Sequence, residues 1–133
     1  MYRLVKNIDK SNMFPEFINE KMNTSTYNYS QGSAAVLKSG SLRFANSSEF
    51  PEFILTSSSH TFFKNGKADA FYITEDMIFK VEYVGNAVPK IGMPVGIAKY
   101  NSEADAVTSN SSGKGVIVAL DDNPLYVYVK FHR

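Results

Sequence analysis

The closing segment of this chain constrains its fold more than any other. From Leu125 to Phe131 the side chains alternate without a break, with Leu125, Val127, Val129 and Phe131 on one face and Tyr126, Tyr128 and Lys130 on the other. A period of two belongs to a strand with one buried face and fits no helix. Comparable short segments recur upstream. Ala34–Leu37 leads through the turn signal Lys38-Ser39-Gly40-Ser41 into Leu42–Ala45, and Phe53–Thr56 is a short apolar run. Ala70–Thr74 and Met77–Val84 follow, the latter placing Phe79, Val81 and Tyr83 toward a core and Lys80 and Glu82 toward solvent. Met93–Tyr100 is a strand that Pro94 confines to an edge or to its own start, because proline has no ladder donor. Val116–Leu120 is an unbroken apolar run, expected to be buried throughout. Asn65-Gly66 marks a hairpin, since both residues tolerate positive φ. Asn101–Thr108 is expected to be a polar loop in which Val107 is the one large apolar residue.

Seven to nine short strands with no long helix predict an all-β fold, a compact β-barrel or β-sandwich. With 133 residues there is length for one such domain. The opening stretch differs, being rich in Asn, Ser, Thr and Lys with little alternation. Residues 1–31 are therefore expected to be an N-terminal arm with aromatic pegs, and residues 32–133 a single β-domain. Within the arm, Met13–Met22 offers at most one helical turn, with Asn12 as N-cap and Pro15 early. Phe14, Phe17 and Ile18 would then share a face.

Composition removes most enzyme chemistry. The chain has no Cys, which excludes disulfides, thiolate metal sites and thiol nucleophiles. It has only two His, His60 in a Ser-rich turn and His132 beside the last residue. Fourteen Lys and Arg against 13 Asp and Glu give a net charge of +1, so no nucleic-acid partner is expected. No apolar run approaches the roughly 20 residues of a membrane helix, and the N-terminal residues have no signal-peptide core, so neither a membrane partner nor export is expected. Four sequons, at Asn23, Asn28, Asn46 and Asn110, are what an Asn/Ser/Thr-rich chain produces by chance.

The remaining motifs read as structure. Ser112-Gly113-Lys114-Gly115 lacks the spacing and the following helix of a phosphate loop. Ser57-Ser58-Ser59-His60 lacks an oriented third group. Asp121-Asp122-Asn123 is a fragment of a calcium loop, or a turn held by Asx hydrogen bonds. Glu49 and Glu52 flank Phe50-Pro51 as loop acids; with Asp121 and Asp122 they are the carboxylates from which a small hydrolase would have to build a dyad. No catalytic, cofactor or metal residue is assigned. Tyr27, Tyr29, Tyr126 and Tyr128 are candidates for a sugar- or base-stacking face, or for packing and subunit contact.

The order of segments resembles a known family. Gly32–Gly40, Phe50–Leu55, Met77–Val81, Gly92-Met93-Pro94-Val95-Gly96, Gly115–Leu120 and Val127–Phe131 together look like the small β-rich head proteins of tailed bacteriophages, the capsid decoration or head-stabilising proteins. The resemblance spans residues 32–131 and rests on hydrophobic and glycine spacing. It implies a non-enzymatic protein made in the host cytoplasm and bound to the outer surface of an assembled shell. The implied partner is the major capsid protein, and the implied assembly a homo-oligomer, with a trimer favoured. An arm that orders on docking would place Tyr2, Leu4, Val5, Phe14 and Phe17 in contact with the capsid or a neighbouring subunit. The alternative is that the arm folds back over its own barrel. A rival function is a carbohydrate- or cell-surface-binding β-module.

Overall fold

A computed structural model describes residues 1–7, 17–22, 29–58 and 67–133. Among these residues there is no helix, and eleven strands form. They are β1 (Arg3–Asn7), β2 (Phe17–Lys21), β3 (Ala34–Lys38), β4 (Ser41–Phe44), β5 (Phe53–Leu55), β6 (Lys67–Tyr72), β7 (Met77–Tyr83), β8 (Pro94–Ala98), β9 (Ala106–Ser109), β10 (Gly115–Leu120) and β11 (Tyr126–Phe131). The all-β expectation holds. The strands beyond the expected set are β1, β2 and β9.

One sheet runs β1-β7-β11-β10-β8-β9, and β9 returns to β7 in parallel through Glu82↔Ala106 and Tyr83↔Val107. Five strands, β7 to β11, thereby close into a barrel. The second sheet runs β2-β6-β5-β3-β4, and a parallel bridge between Met22 and Leu42 carries the end of β2 across to β4. This sheet rolls up as well, with a single bridge where the barrel has a ladder.

Alternation builds two cores from these sheets. The larger takes Phe79 and Val81 from β7, Val127, Val129 and Phe131 from β11, Ile117 from β10, Val95 and Ile97 from β8 and Val107 from β9. Ala34 and Val36, Ile54 and Phe71 from the second sheet join it. Their sequence neighbours Ala35, Phe53, Leu55 and Ala70 point the other way and pack with Met22, Tyr29, Leu42 and Ala68 in the second core. Successive side chains of a strand face opposite sides, so β3, β5 and β6 are walls shared by both cores.

The expectation of an arm is corrected over residues 1–7 and 17–22. β1 lies antiparallel on β7, with Arg3 opposite Lys80 and Leu4 opposite Phe79, and β2 lies antiparallel on β6. Tyr2 and Leu4 face the core, and Tyr2 N–H donates to Gly32 O at 2.8 Å. Burying a large aromatic side chain is worth a few kcal/mol, and Tyr2 obtains that within its own chain. The helical option for Phe17 and Ile18 gives way to β2, whose residues 17–21 pair one for one with Phe71 to Lys67.

Two further expectations fail nearby. Asn101–Thr108 is only partly a loop, because residues from Ala106 onward form β9. The buried Asp105 carboxylate makes this possible, accepting from the backbone N–H groups of Tyr100, Asn101 and Ser102 at 2.7, 3.0 and 2.9 Å. Glu82 is not solvent-facing but 5% exposed, held by the Met1 amino group and by Arg3 at 3.6 Å. Pro94 does stand first in β8, as its missing N–H requires. The start of the helical option at Asn12–Glu16, together with Tyr27, His60 and the Asn65-Gly66 turn, lies outside the described residues.

Candidate contact surface

Of the five residues expected to make contacts, the three whose side chains are described, Tyr2, Leu4 and Val5, differ in exposure. Tyr2 is 3% exposed, its ring lying against Phe79 and Phe131 at centroid separations of 6.2 and 5.9 Å. Its hydroxyl donates to Ala106 O at 2.7 Å. Burial, and then the charges of Asp105 and Glu82, hold its phenol well above the usual tyrosine range. Leu4 is half-buried against the larger core. Val5 is exposed, at a β-bulge where the pairing with β7 skips from Leu4 to Lys6. Phe17 opens β2 opposite Phe71, and Phe14 lies outside the described residues.

Several of the groups weighed for chemistry have structural partners. Glu49 takes both oxygens to the Arg43 guanidinium at 2.8 and 2.7 Å, and that hydrogen-bonded pairing holds its carboxyl below the usual range. Glu52 accepts from Leu37 N–H at 3.1 Å. Ser57 Oγ accepts from Asp69 N–H and Ser58 Oγ from Gln31 N–H, so these two hydroxyls serve backbone. Asp121 Oδ2 accepts from Asn123 N–H and Asn123 Oδ1 from Leu125 N–H, the Asx-turn reading of that motif. In the Ser112–Gly115 hairpin, Gly113 passes so close to β8 that a Cβ there would meet Val95 O at 2.0 Å. Among the described residues no three His, Asp or Glu side chains are placed to hold a metal ion. Nor is any described helix long and apolar enough to cross a membrane.

The described tyrosine candidates, Tyr29, Tyr126 and Tyr128, are similarly engaged. Tyr29 is buried in the second core. Tyr126 carries Lys80 Nζ over its ring at 4.8 Å and the Arg3 guanidinium at 5.7 Å. Cations over a ring face occupy the surface that a sugar would stack on. Tyr128 donates its hydroxyl to Asp121 Oδ1 at 2.8 Å, which is the main cause lowering the Asp121 pKa.

Two concavities are polar or small. One, of about 220 Å³, is lined by Met1, Arg3, Ser30, Gln31, Glu82, Asn101, Ser102 and Asp105. Its carboxylates are those already held by Met1, Arg3 and the 100–102 backbone. The other, about 230 Å³, is a shallow hollow beside Glu75, Lys130 and His132.

Exposed apolar side chains stand elsewhere, on the loop from Val84 to Met93 between β7 and β8. Val88 is 71% and Ile91 68% exposed. The loop is built into the barrel at both ends. Val84 N–H donates to Val107 O at 2.9 Å, and Tyr83 hydroxyl donates to Ala87 O at 2.8 Å. Gly92 N–H donates to Ile117 O at 2.8 Å, and Ile117 N–H to Met93 O at 3.0 Å. Gly85 and Gly92 take φ of 113° and 90°, which a side chain would strain. The last bonds run the loop alongside β10, whose end residue Leu120 is 49% exposed. A single exposed aliphatic residue is ordinary; this braced loop carries two of them, three positions apart. In sequence this stretch reads only as a Gly/Pro-punctuated connection; its chemical signal is two aliphatic residues, Val88 and Ile91, placed between turn residues.

No protein-family model, no curated protein and no solved structure matches the chain.

Proposed function

We propose that this protein is non-enzymatic and acts by surface contact, as a decoration protein on the outside of a bacteriophage capsid, where it binds and stabilises the shell. The observation that carries the contact reading is the braced Val84–Met93 loop with Val88 and Ile91 outward. A decoration protein needs a rigid body that presents a patch, repeated over many lattice sites so that modest contacts sum. The sequence resemblance supplies the capsid setting and names the major capsid protein as partner, with a trimer as the favoured assembly. The contact residues shift from Tyr2 and the N-terminal segment to the loop.

The test is sedimentation of the purified full chain with expanded, undecorated capsids of tailed phages. The protein pellets with the shells if the reading holds. It stays in the supernatant across several shells if the reading is wrong. A glycan array in which the protein binds sugars while ignoring shells transfers the function to the carbohydrate-binding alternative.

A further inference from the structure

The structure assigns the α-amino group of Met1 as a modification-sensitive site: free, its ammonium latches β1 onto the barrel, and acylated, it lets β1 go. This inference is independent of the contact reading above.

The ammonium sits where β1, β7 and β9 converge. It donates to Glu82 Oε2 on β7 and, at 2.6 Å, to Asp105 O just before β9. Glu82 lies at the seam that closes the barrel, opposite Ala106 of β9, and is 5% exposed. Among the described residues its other cation is Arg3, at 3.6 Å. The Asp105 carboxylate does not compete for the ammonium, being spent on the 100–102 backbone. The rest of Met1 is seated too. Its side chain lies on Gly32, where a Cβ would meet Met1 Cγ at 1.9 Å. Tyr2 then ties its N–H to Gly32 O and its hydroxyl to Ala106 O.

Acylation removes the charge from this terminus. The amine nitrogen bonds to the carbonyl carbon of an acyl thioester, the carbon–sulfur bond breaks, and the thiol leaves with the proton that the nitrogen gives up. A neutral amide with one N–H remains. An ammonium has three donors and serves Glu82 and Asp105 O together, whereas the amide can serve one of them. A carboxylate left buried without its cation is strongly destabilising, and Arg3 stands beyond hydrogen-bond reach of it. Space is not the obstacle, because the concavity of about 220 Å³ beside the amine has room for a small acyl group. The penalty is electrostatic and falls where β1 begins. Released, β1 bares the Met77–Lys80 edge of β7 and draws Tyr2 away from Phe79 and Phe131. The paired ammonium has no lone pair to attack with, so the acyl group is added before β1 docks.

The test prepares the full chain with Met1 free and acetylated, in the wild type and in Glu82→Gln, and follows amide hydrogen exchange. In the wild type, acetylation is expected to speed exchange over residues 2–7 by about 10-fold or more and to leave β10 and β11 unchanged. In Glu82→Gln, which has no charge to strand, the same acetyl group should change exchange by less than about 3-fold. Equal exchange in the free and acetylated wild type overturns the inference, whether or not Glu82→Gln folds. Equal acceleration in both backgrounds overturns it by making the effect one of bulk. Acceleration spread over all strands overturns it by making the ammonium a support of the whole fold and not a latch on β1.

Discussion

Tyr2 and Ile91 stand at opposite extremes, 3% and 68% exposed, although each belongs to a segment laid against the same barrel. The difference lies in what each segment's backbone does. Residues 3–7 join the ladder of β7, so alternate side chains must enter the core, and Tyr2 and Leu4 do so. The 84–93 segment leaves the ladder at Tyr83 and rejoins it at Pro94, tied by a few bonds at its ends, and among the described residues no strand pairs with its middle. Apolar residues in a strand are core material, whereas the same residue types on a braced loop are free to meet another molecule.

The largest consequence is for Tyr2. Tyr2→Ala removes its ring from Phe79 and Phe131 and leaves Ala106 O without its donor, and should cost about 3–5 kcal/mol in the chemical-denaturation midpoint. A loss under 1 kcal/mol would mean that residues 1–7 behave as a loose arm after all. Asp105→Ala comes next, since it strands three backbone N–H groups at the junction of β1, β3 and β9; about 3 kcal/mol is expected from the same measurement. Recovery of part of that loss in Asp105→Asn, which keeps an acceptor, separates the hydrogen bonds from the charge.

A smaller effect is tied to pH. Arg43 holds the Glu49 carboxyl below its unfolded value, so the pair's stabilisation is fully present above about pH 4.5, the ordinary value, and is lost as pH falls through the lower folded pKa. Arg43→Met should therefore cost up to about 1 kcal/mol at neutral pH and little at the acid end. Melting curves from pH 2 to 7 read this directly, and a cost that grows on acidification would reverse the assignment. Smallest of all is Val88→Ser/Ile91→Ser. Both residues already stand in solvent, so stability should move by no more than about 0.5 kcal/mol.

The strands whose partners are close in sequence or whose alternation is long were legible beforehand. β11 follows the pattern of Leu125–Phe131, and β7 follows its own up to Glu82; β10 forms where expected, but its run is not buried throughout, since Ile117 faces the core while Val116 and Val118 are half-buried and Leu120 is exposed. Glu82 escapes the pattern because its burial comes from Met1 and Arg3, which reach it from the far end of the chain. β1 was hidden for the same reason: five residues carry too short an alternation to announce a strand whose partner begins at Met77. β9 was hidden by residue size, since Ala104 and Ala106 are buried without looking like core. The exposed loop was legible as a connection, but whether its Val88 and Ile91 are covered depends on what the rest of the chain packs over them. That is a property of the whole fold, not of the segment.

The proposed contact runs through the 84–93 loop and not through the N-terminal strand. Co-sedimentation of Val88→Ser/Ile91→Ser with undecorated capsids, beside a wild-type control and a matched melting curve, tests it most directly. An unchanged melt is expected, with the variant left in the supernatant while the wild type pellets. Variant and wild type pelleting equally would contradict it.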